Sequence, residues 1–112
     1  MTDAQFQIVL TTCPDAESAG KIARALIQDG HAACVNIVPA VESIYRWKGK
    51  IESAREHLLI IKGPARNYTA IEAHIRALHP YELPEVIAVP IGRGSPAYLG
   101  WLDNPDQQPG SA

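Results

Sequence analysis

The sequence has few cysteines, almost no net charge and no long apolar run, and each shortage excludes a class of protein. Two cysteines among 112 residues, Cys13 and Cys34, are too few for a disulfide scaffold, so we expect free thiols. Ten basic and 12 acidic residues give a formal net charge of -2, which argues against a nucleic-acid partner. No apolar run is long enough to cross a bilayer, which argues against a membrane partner.

Several catalytic signatures are also missing. The chain contains no GxxxxGK[ST] phosphate loop, no GxGxxG dinucleotide fingerprint, no GxSxG nucleophile and no HExxH zinc motif. The start of the chain, Met1 to Phe6, lacks the basic residues and apolar core of a signal peptide, so we expect a cytoplasmic protein.

What the sequence does contain is an ordered series of strand and helix patterns. The β-α-β-β-α-β order predicts an α+β fold, a ferredoxin-like sandwich with both helices on one face of a four-stranded antiparallel sheet. Residues 1–112 are interpreted as one domain, with 103–112 as a flexible tail. The predicted elements are a strand at 5–11, a helix at 14–29, strands at 32–47 and 50–62, a helix from 63 that ends before Pro80, a strand at 86–91 and a short helix from 95.

The predicted hairpin is too long for the helices that should cover it. Residues 32–47 would extend about 50 Å at ~3.3 Å per residue, whereas the first helix covers about 24 Å at ~1.5 Å per residue. We expect a bend at Pro39-Ala40, and the alternative is that this bend folds the hairpin onto its own sheet. If the hairpin instead extends away from the sheet, its exposed apolar side chains must be covered by further copies of the chain. The terminal segment 98–102 is a second candidate for docking against such a copy. The apolar overhang comprises Val41, Ile44, Tyr45, Trp47 and Ile51.

Two residues offer the ligand atoms that soft metal ions prefer. His79 stands at the predicted end of the second helix, and imidazole is a good ligand for copper or zinc. The alternative role for His79 is to cap the helix by bonding a terminal carbonyl. Cys13 precedes Pro14 at a helix start, where a helix N-terminus stabilises the thiolate. The alternative for Cys13 is a small core residue.

Two acidic residues follow in a turn. Glu82 and Glu85 flank Leu83-Pro84 and can supply hard oxygen ligands, or they lie in a solvated loop or in an ion pair across a subunit boundary. His31 and His74 show no ligand spacing and are interpreted as surface residues, as is His57.

Four motifs occur in a fixed order: AACVNI at 32–37, SIYRWKGKI at 43–51, HPYELPEV at 79–86 and PAYLGW at 96–101. With them the chain, from about Ile8 to Leu102, resembles the CutA divalent-cation tolerance proteins. The resemblance implies a ferredoxin-like fold, a homotrimer, an association with copper or other divalent ions, and an architectural kinship with the PII signalling proteins.

The chain departs from that family's copper-binding bacterial members at two positions. Those members carry a cysteine where this chain has Thr11 and a histidine where this chain has Leu78. His79 is retained, and Cys13 would point to the same side of an extended strand as Thr11. We therefore predict a copper or other divalent-ion site at Cys13, His79, Glu82 and Glu85, in a protein without enzymatic turnover. The alternatives are a PII-like sensor with clefts between subunits, a thiol enzyme using Cys13, and a purely structural assembly module.

Overall fold

The computed structural model describes residues 5–107 and contains a single four-stranded sheet with three α-helices in that range. The strand order is β2-β3-β1-β4, and all neighbouring strands are antiparallel. This is the predicted ferredoxin-like α+β arrangement. Its elements are β1 (Phe6–Cys13), α1 (Ala16–Gln28), β2 (Cys34–Trp47), β3 (Lys50–Pro64), a 3-10 turn (Ala65–Asn67), α2 (Tyr68–Leu78), β4 (Ile87–Pro90) and α3 (Pro96–Asp103).

The core lies between the sheet and two of the helices. Side chains alternate along β1, and Val9 and Cys13 are fully buried on the side that faces α1 and α2. Because α1 and α2 each direct an apolar stripe to that side, one cluster joins both helices to the two central strands. Its largest members are Ile22, Leu26, Leu59, Ile61, Ile71 and Ile75.

The opposite side of the sheet, here called the open face, is apolar but has no such cover from α1 and α2. Strand register places Ile8 opposite Val89 and Leu10 opposite both Ile60 and Ile87 on this side. None of its apolar members is fully buried, although all are large. These members are Ile8, Leu10, Val38, Leu58, Ile60, Ile87 and Val89.

The start of α1 differs from the sequence prediction. The structure extends β1 through Cys13, and the helix begins at Ala16 rather than at Pro14. Asp15 is the N-cap, and its carboxylate accepts a 2.8 Å hydrogen bond from the backbone N–H of Ser18. The helix ends at Gln28 with Asp29 as its C-cap, and Gly30, the residue expected to end it, follows with a φ of 75°, which suits a residue without a Cβ.

The hairpin of β2 and β3 has the predicted bend and turn. Register shifts between Val38 and Val41, and Ala40 takes a φ of 62°, which together define a bulge where the bend was expected. Lys48 and Gly49 both have positive φ, as a tight hairpin turn requires. Beyond the bulge the hairpin remains open to solvent, with Ile44 68% and Ile51 74% exposed.

Two later boundaries also differ. Gly63-Pro64 does not start a helix, because β3 continues through Pro64 and a 3-10 turn precedes α2. The terminal helix α3 buries Leu102 within its own chain and is fastened by a 2.8 Å ion pair between Arg66 and Asp103. Asp103 thus belongs to α3, whereas the end of the expected tail, 108–112, lies outside the described residues.

Candidate functional site

The end of β1, the middle of β3 and the segment after α2 meet beside the hairpin. The segment after α2 brings His79 against Thr12 and Tyr81 against Glu56. Three of the predicted site residues, His79, Glu82 and Glu85, lie in or next to this segment. The fourth, Cys13, follows Thr12 directly. The segments that carry the predicted residues therefore meet in one region, named here the candidate site, although the side chain of Cys13 points to the helix side of the sheet and into the core.

The imidazole of His79 is buried and uses both ring nitrogens within the protein. Its Nε2 lies 2.7 Å from the carbonyl oxygen of Thr12, and its Nδ1 lies 3.0 Å from the backbone nitrogen of Tyr81. A carbonyl only accepts and a backbone N–H only donates, so Nε2 carries the proton and Nδ1 accepts. The helix-end carbonyl considered in the sequence analysis is not its partner. Instead, His79 ties the end of α2 to the end of β1.

Cys13 is a core residue in this structure. Its side chain is fully buried, and burial raises the pKa of the thiol to about 11, although a hydrogen bond with Ser18 acts in the opposite direction. The expected stabilisation of the thiolate by the start of α1 is therefore outweighed by desolvation. At neutral pH the sulfur carries its proton, which disfavours attack on electrophiles.

A carboxylate that the sequence analysis did not single out lies at the centre of the site. Glu56 on β3 is only 6% exposed, and its Oε2 accepts a 2.8 Å hydrogen bond from the hydroxyl of Tyr81. Burial and this hydrogen bond raise the pKa of Tyr81 to about 12. No local pattern marks Glu56, because its burial depends on the segment that folds over it from beyond α2.

A cleft of about 1270 Å³ runs between the hairpin and the segment after α2. Strand alternation places Thr12, Glu56 and Tyr45 on the same side of the sheet as Leu58, so the cleft continues the open face. Aromatic and acidic side chains form much of its wall. They include Tyr45, Trp47 and Tyr81 together with Glu56, Glu82 and Glu85.

The four predicted ligands differ in what they offer an ion. Glu82 and Glu85 are exposed at the cleft, where carboxylate oxygens are accessible. The electron pair of His79 Nδ1 is engaged by Tyr81, and the thiol of Cys13 is buried and protonated. In this arrangement Cys13 and His79 do not fit a metal ion, and a site made of all four residues stays a prediction.

Comparison with known proteins shows which family the chain belongs to. The model of the family described as "CutA1 divalent ion tolerance protein" matches residues 7–105. This chain belongs to the CutA1 family. The "Divalent-cation tolerance protein CutA" of Thermus thermophilus is 45% identical over 96 residues, which are 86% of this chain and 93% of that protein. The "Protein CutA, chloroplastic" of Arabidopsis thaliana is 47% identical over 97 residues, 87% of this chain and 53% of that protein.

The fold agrees with solved structures of the family. The crystal structure of CutA1 from Oryza sativa superposes with a TM-score of 0.88 at 41% identity, covering 97% of this chain and 100% of that one. The chain spans about half the length of several plant and animal relatives, including 51% of the Mus musculus protein. A CutA structure from Archaeoglobus fulgidus is described as periplasmic. Among residues 5–107, no helix has the length and apolar character needed to span a membrane.

Proposed function

We propose that this chain is the subunit of a homotrimeric protein that binds divalent metal ions and performs no catalytic turnover. The observation that carries the proposal is the continuity between an uncovered apolar sheet face and a cleft with acidic walls. An apolar face of this kind is stabilised by burial against another subunit. Such burial would enclose the cleft, so that each of three equivalent subunit boundaries holds one ion site.

The hairpin supports assembly from copies of the same chain. Its tip carries exposed Ile44, Trp47 and Ile51, which the helices of the same chain do not cover. Tyr45 and Trp47 remain accessible and do not fold back onto their own sheet, so the bent-back alternative is not favoured. A sister chain supplies an apolar open face of matching character, and repetition of that contact around an axis closes a trimer.

The carboxylates at the cleft support ion binding. Glu82 and Glu85 offer oxygen ligands, and the buried carboxylate of Glu56 adds negative charge behind them. His79 and Cys13 would join copper or another divalent ion only if the hydrogen bond from Tyr81 to Nδ1 were broken and the thiol were deprotonated.

The absence of turnover is part of the proposal. The high pKa of Cys13 and the engaged nitrogens of His79 leave these residues without a ready nucleophile or base, which counts against the thiol-enzyme alternative. Cys13 and Cys34 are both free thiols, and this supports the reducing environment of the cytoplasm.

Copper(II) titration by calorimetry tests the ion proposal. We expect the Glu82→Gln/Glu85→Gln double variant to lose a binding event that the unmodified protein shows. The control is Glu17→Gln, which removes an exposed carboxylate on α1, away from the cleft. Equal affinity and stoichiometry in the double variant and the control would remove Glu82 and Glu85 from the proposed site.

The aromatic wall of the cleft favours a second candidate function, a PII-like sensor of a small molecule or a protein partner. Tyr45, Trp47 and Tyr81 present ring surfaces on which a base or a planar metabolite can stack. A thermal-shift screen with nucleotides and metabolites tests it. Stabilisation that disappears in Trp47→Ala supports this function, and the lack of any hit across the panel contradicts small-molecule sensing.

A further inference from the structure

We propose a second metal site, at Asp29, His31 and His74, on the helix layer and separate from the cleft. One ligand atom from each of these residues lies within 4.8 Å of the other two. Among residues 5–107 this is the only group of three histidine, cysteine or acidic side chains brought together in this way. None of the three residues lines the cleft.

The turn after α1 holds two of the ligands in place. Asp29 caps α1, and its backbone N–H donates to the carbonyl of Ala25 at 3.0 Å. Gly30, with its positive φ, then reverses the chain, and the N–H of His31 donates to Leu26 at 3.0 Å. Helix capping thus fixes the backbone that carries the side chains of Asp29 and His31.

The carbonyl of His31 is also anchored from the other helix. It accepts a 3.1 Å hydrogen bond from the side-chain amide of Asn67, which immediately precedes α2. The turn is thereby tied to the start of the helix that carries His74. This hydrogen bond and the packing of α1 beside α2 bring the backbones of the two histidines close together.

The ring of His74 is oriented as a metal-ligating histidine would be. Its Nδ1 lies 3.1 Å from the carbonyl of Ala70, so that nitrogen carries the hydrogen and donates it. A backbone carbonyl in this position fixes the tautomer that leaves Nε2 as the ligand atom. Nε2 in turn lies 2.7 Å from Oδ2 of Asp29. This contact is a hydrogen bond or ion pair between the two side chains, and a bound metal ion would take the place of the proton shared between them.

His31 is the third residue of the cluster, and its ring packs beside the ring of His74. Its ring centroid lies 4.6 Å from that of His74, and the two rings meet edge to face at 71°. The side chains of His74 and Asp29 are 29% and 52% exposed, so water reaches the cluster. Three protein ligands with room for water are the arrangement of an open zinc site.

The donor set indicates which ions fit. Two imidazoles and one carboxylate suit zinc(II) or copper(II), whereas magnesium and calcium prefer oxygen ligands throughout. Ligand atoms about 2.0–2.1 Å from a tetrahedral ion stand roughly 3.3 Å apart. The contact between Asp29 and His74 must therefore open slightly, which an exposed aspartate side chain at a helix end permits.

This inference does not rest on the proposed function, because all three ligands belong to one chain and none lies at the cleft. It assigns one ion to each chain whatever the number of subunits. It gives His31 and His74, which the sequence analysis interpreted as surface residues, a shared role. Their spacing in sequence, 43 positions, gives no ligand pattern, and only the packing of α1 beside α2 brings them together.

Zinc chloride titration of the full, tag-free chain tests the site by calorimetry. We expect His31→Gln and His74→Gln each to weaken one zinc-binding event by about tenfold or more. His57→Gln is the matched control, since it removes a histidine outside the cluster. Unchanged zinc binding in both cluster variants, or no zinc binding by the unmodified chain, overturns the inference.

A measurement on the unmodified protein tests the site even if the variants fail to fold. Zinc should shift the imidazole NMR signals of His31 and His74 and leave that of His57 in place. Shifts at His57 alone, or at no histidine, contradict the site. If Glu82→Gln/Glu85→Gln loses an ion while His31→Gln and His74→Gln do not, the cleft proposal stands and this inference fails. If instead His31→Gln and His74→Gln lose an ion while Glu82→Gln/Glu85→Gln does not, this inference stands and the cleft proposal fails.

Discussion

The imidazole of His79 donates a 2.7 Å hydrogen bond to the carbonyl oxygen of Thr12, 67 positions earlier in the chain. The same ring accepts a hydrogen bond from the backbone N–H of Tyr81. One side chain thus joins the end of β1, the end of α2 and the segment that forms one wall of the cleft. In this position a histidine stabilises the fold whether or not an ion is present.

Replacing His79 with alanine should reduce the free energy of unfolding by about 1–3 kcal/mol, because Thr12 and Tyr81 each lose a hydrogen-bond partner. Urea unfolding at equal protein concentration measures this change. His31→Ala, which removes a less buried histidine, is the control and should cost less. An unchanged unfolding midpoint for His79→Ala would show that these hydrogen bonds contribute nothing to stability.

The thiol of Cys13 should react slowly with alkylating reagents near neutral pH. Burial raises its pKa to about 11, so the reactive thiolate forms only in strongly alkaline solution. The measurement is the alkylation rate against pH in Cys34→Ser protein, where Cys13 is the remaining thiol. A rate that levels off near the pH expected of a free thiol would contradict the buried, protonated state.

Tyr81→Phe should destabilise the protein by about 1 kcal/mol at neutral pH, because Glu56 loses its hydroxyl partner. The pKa of Tyr81 is raised from 10.0 to about 12, so the folded chain keeps a proton that the unfolded chain releases. The contribution of Tyr81 to the free energy of unfolding is therefore fully present below pH 10, and it is lost as the pH rises toward 12. Tyrosinate absorbance measured against pH should lose one high-pH titration in Tyr81→Phe, and an unchanged titration curve would refute the assignment.

Much of the fold could be predicted from local patterns. Alternation and helical spacing gave the element order, and Pro39-Ala40 indicated the bulge that the register shift between Val38 and Val41 confirms. The start of α1 was misplaced because Pro14 was taken as the first helical residue. The capping bond from Ser18 to Asp15 sets the boundary instead.

The candidate site was harder to predict, because its properties depend on contacts between distant segments. Sequence patterns identified His79 but not its partners, since Thr12 and Tyr81 meet it only after α2 packs on the sheet. For Cys13 the sequence left two roles open, a stabilised thiolate and a small core residue, and the structure places it in the core. The helix start was visible in sequence, whereas the desolvation that outweighs it was not.

The central claim is that sister chains cover the open face, and the mass of the particle in dilute solution tests it most directly. Three chains of 12.2 kDa predict a particle of about 37 kDa by sedimentation. Val89→Lys, on the open face, should reduce that mass. Ile27→Lys, on α1 and matched in exposure at 43% against 45%, should leave it unchanged. A 12.2 kDa particle for the unmodified chain would contradict the account.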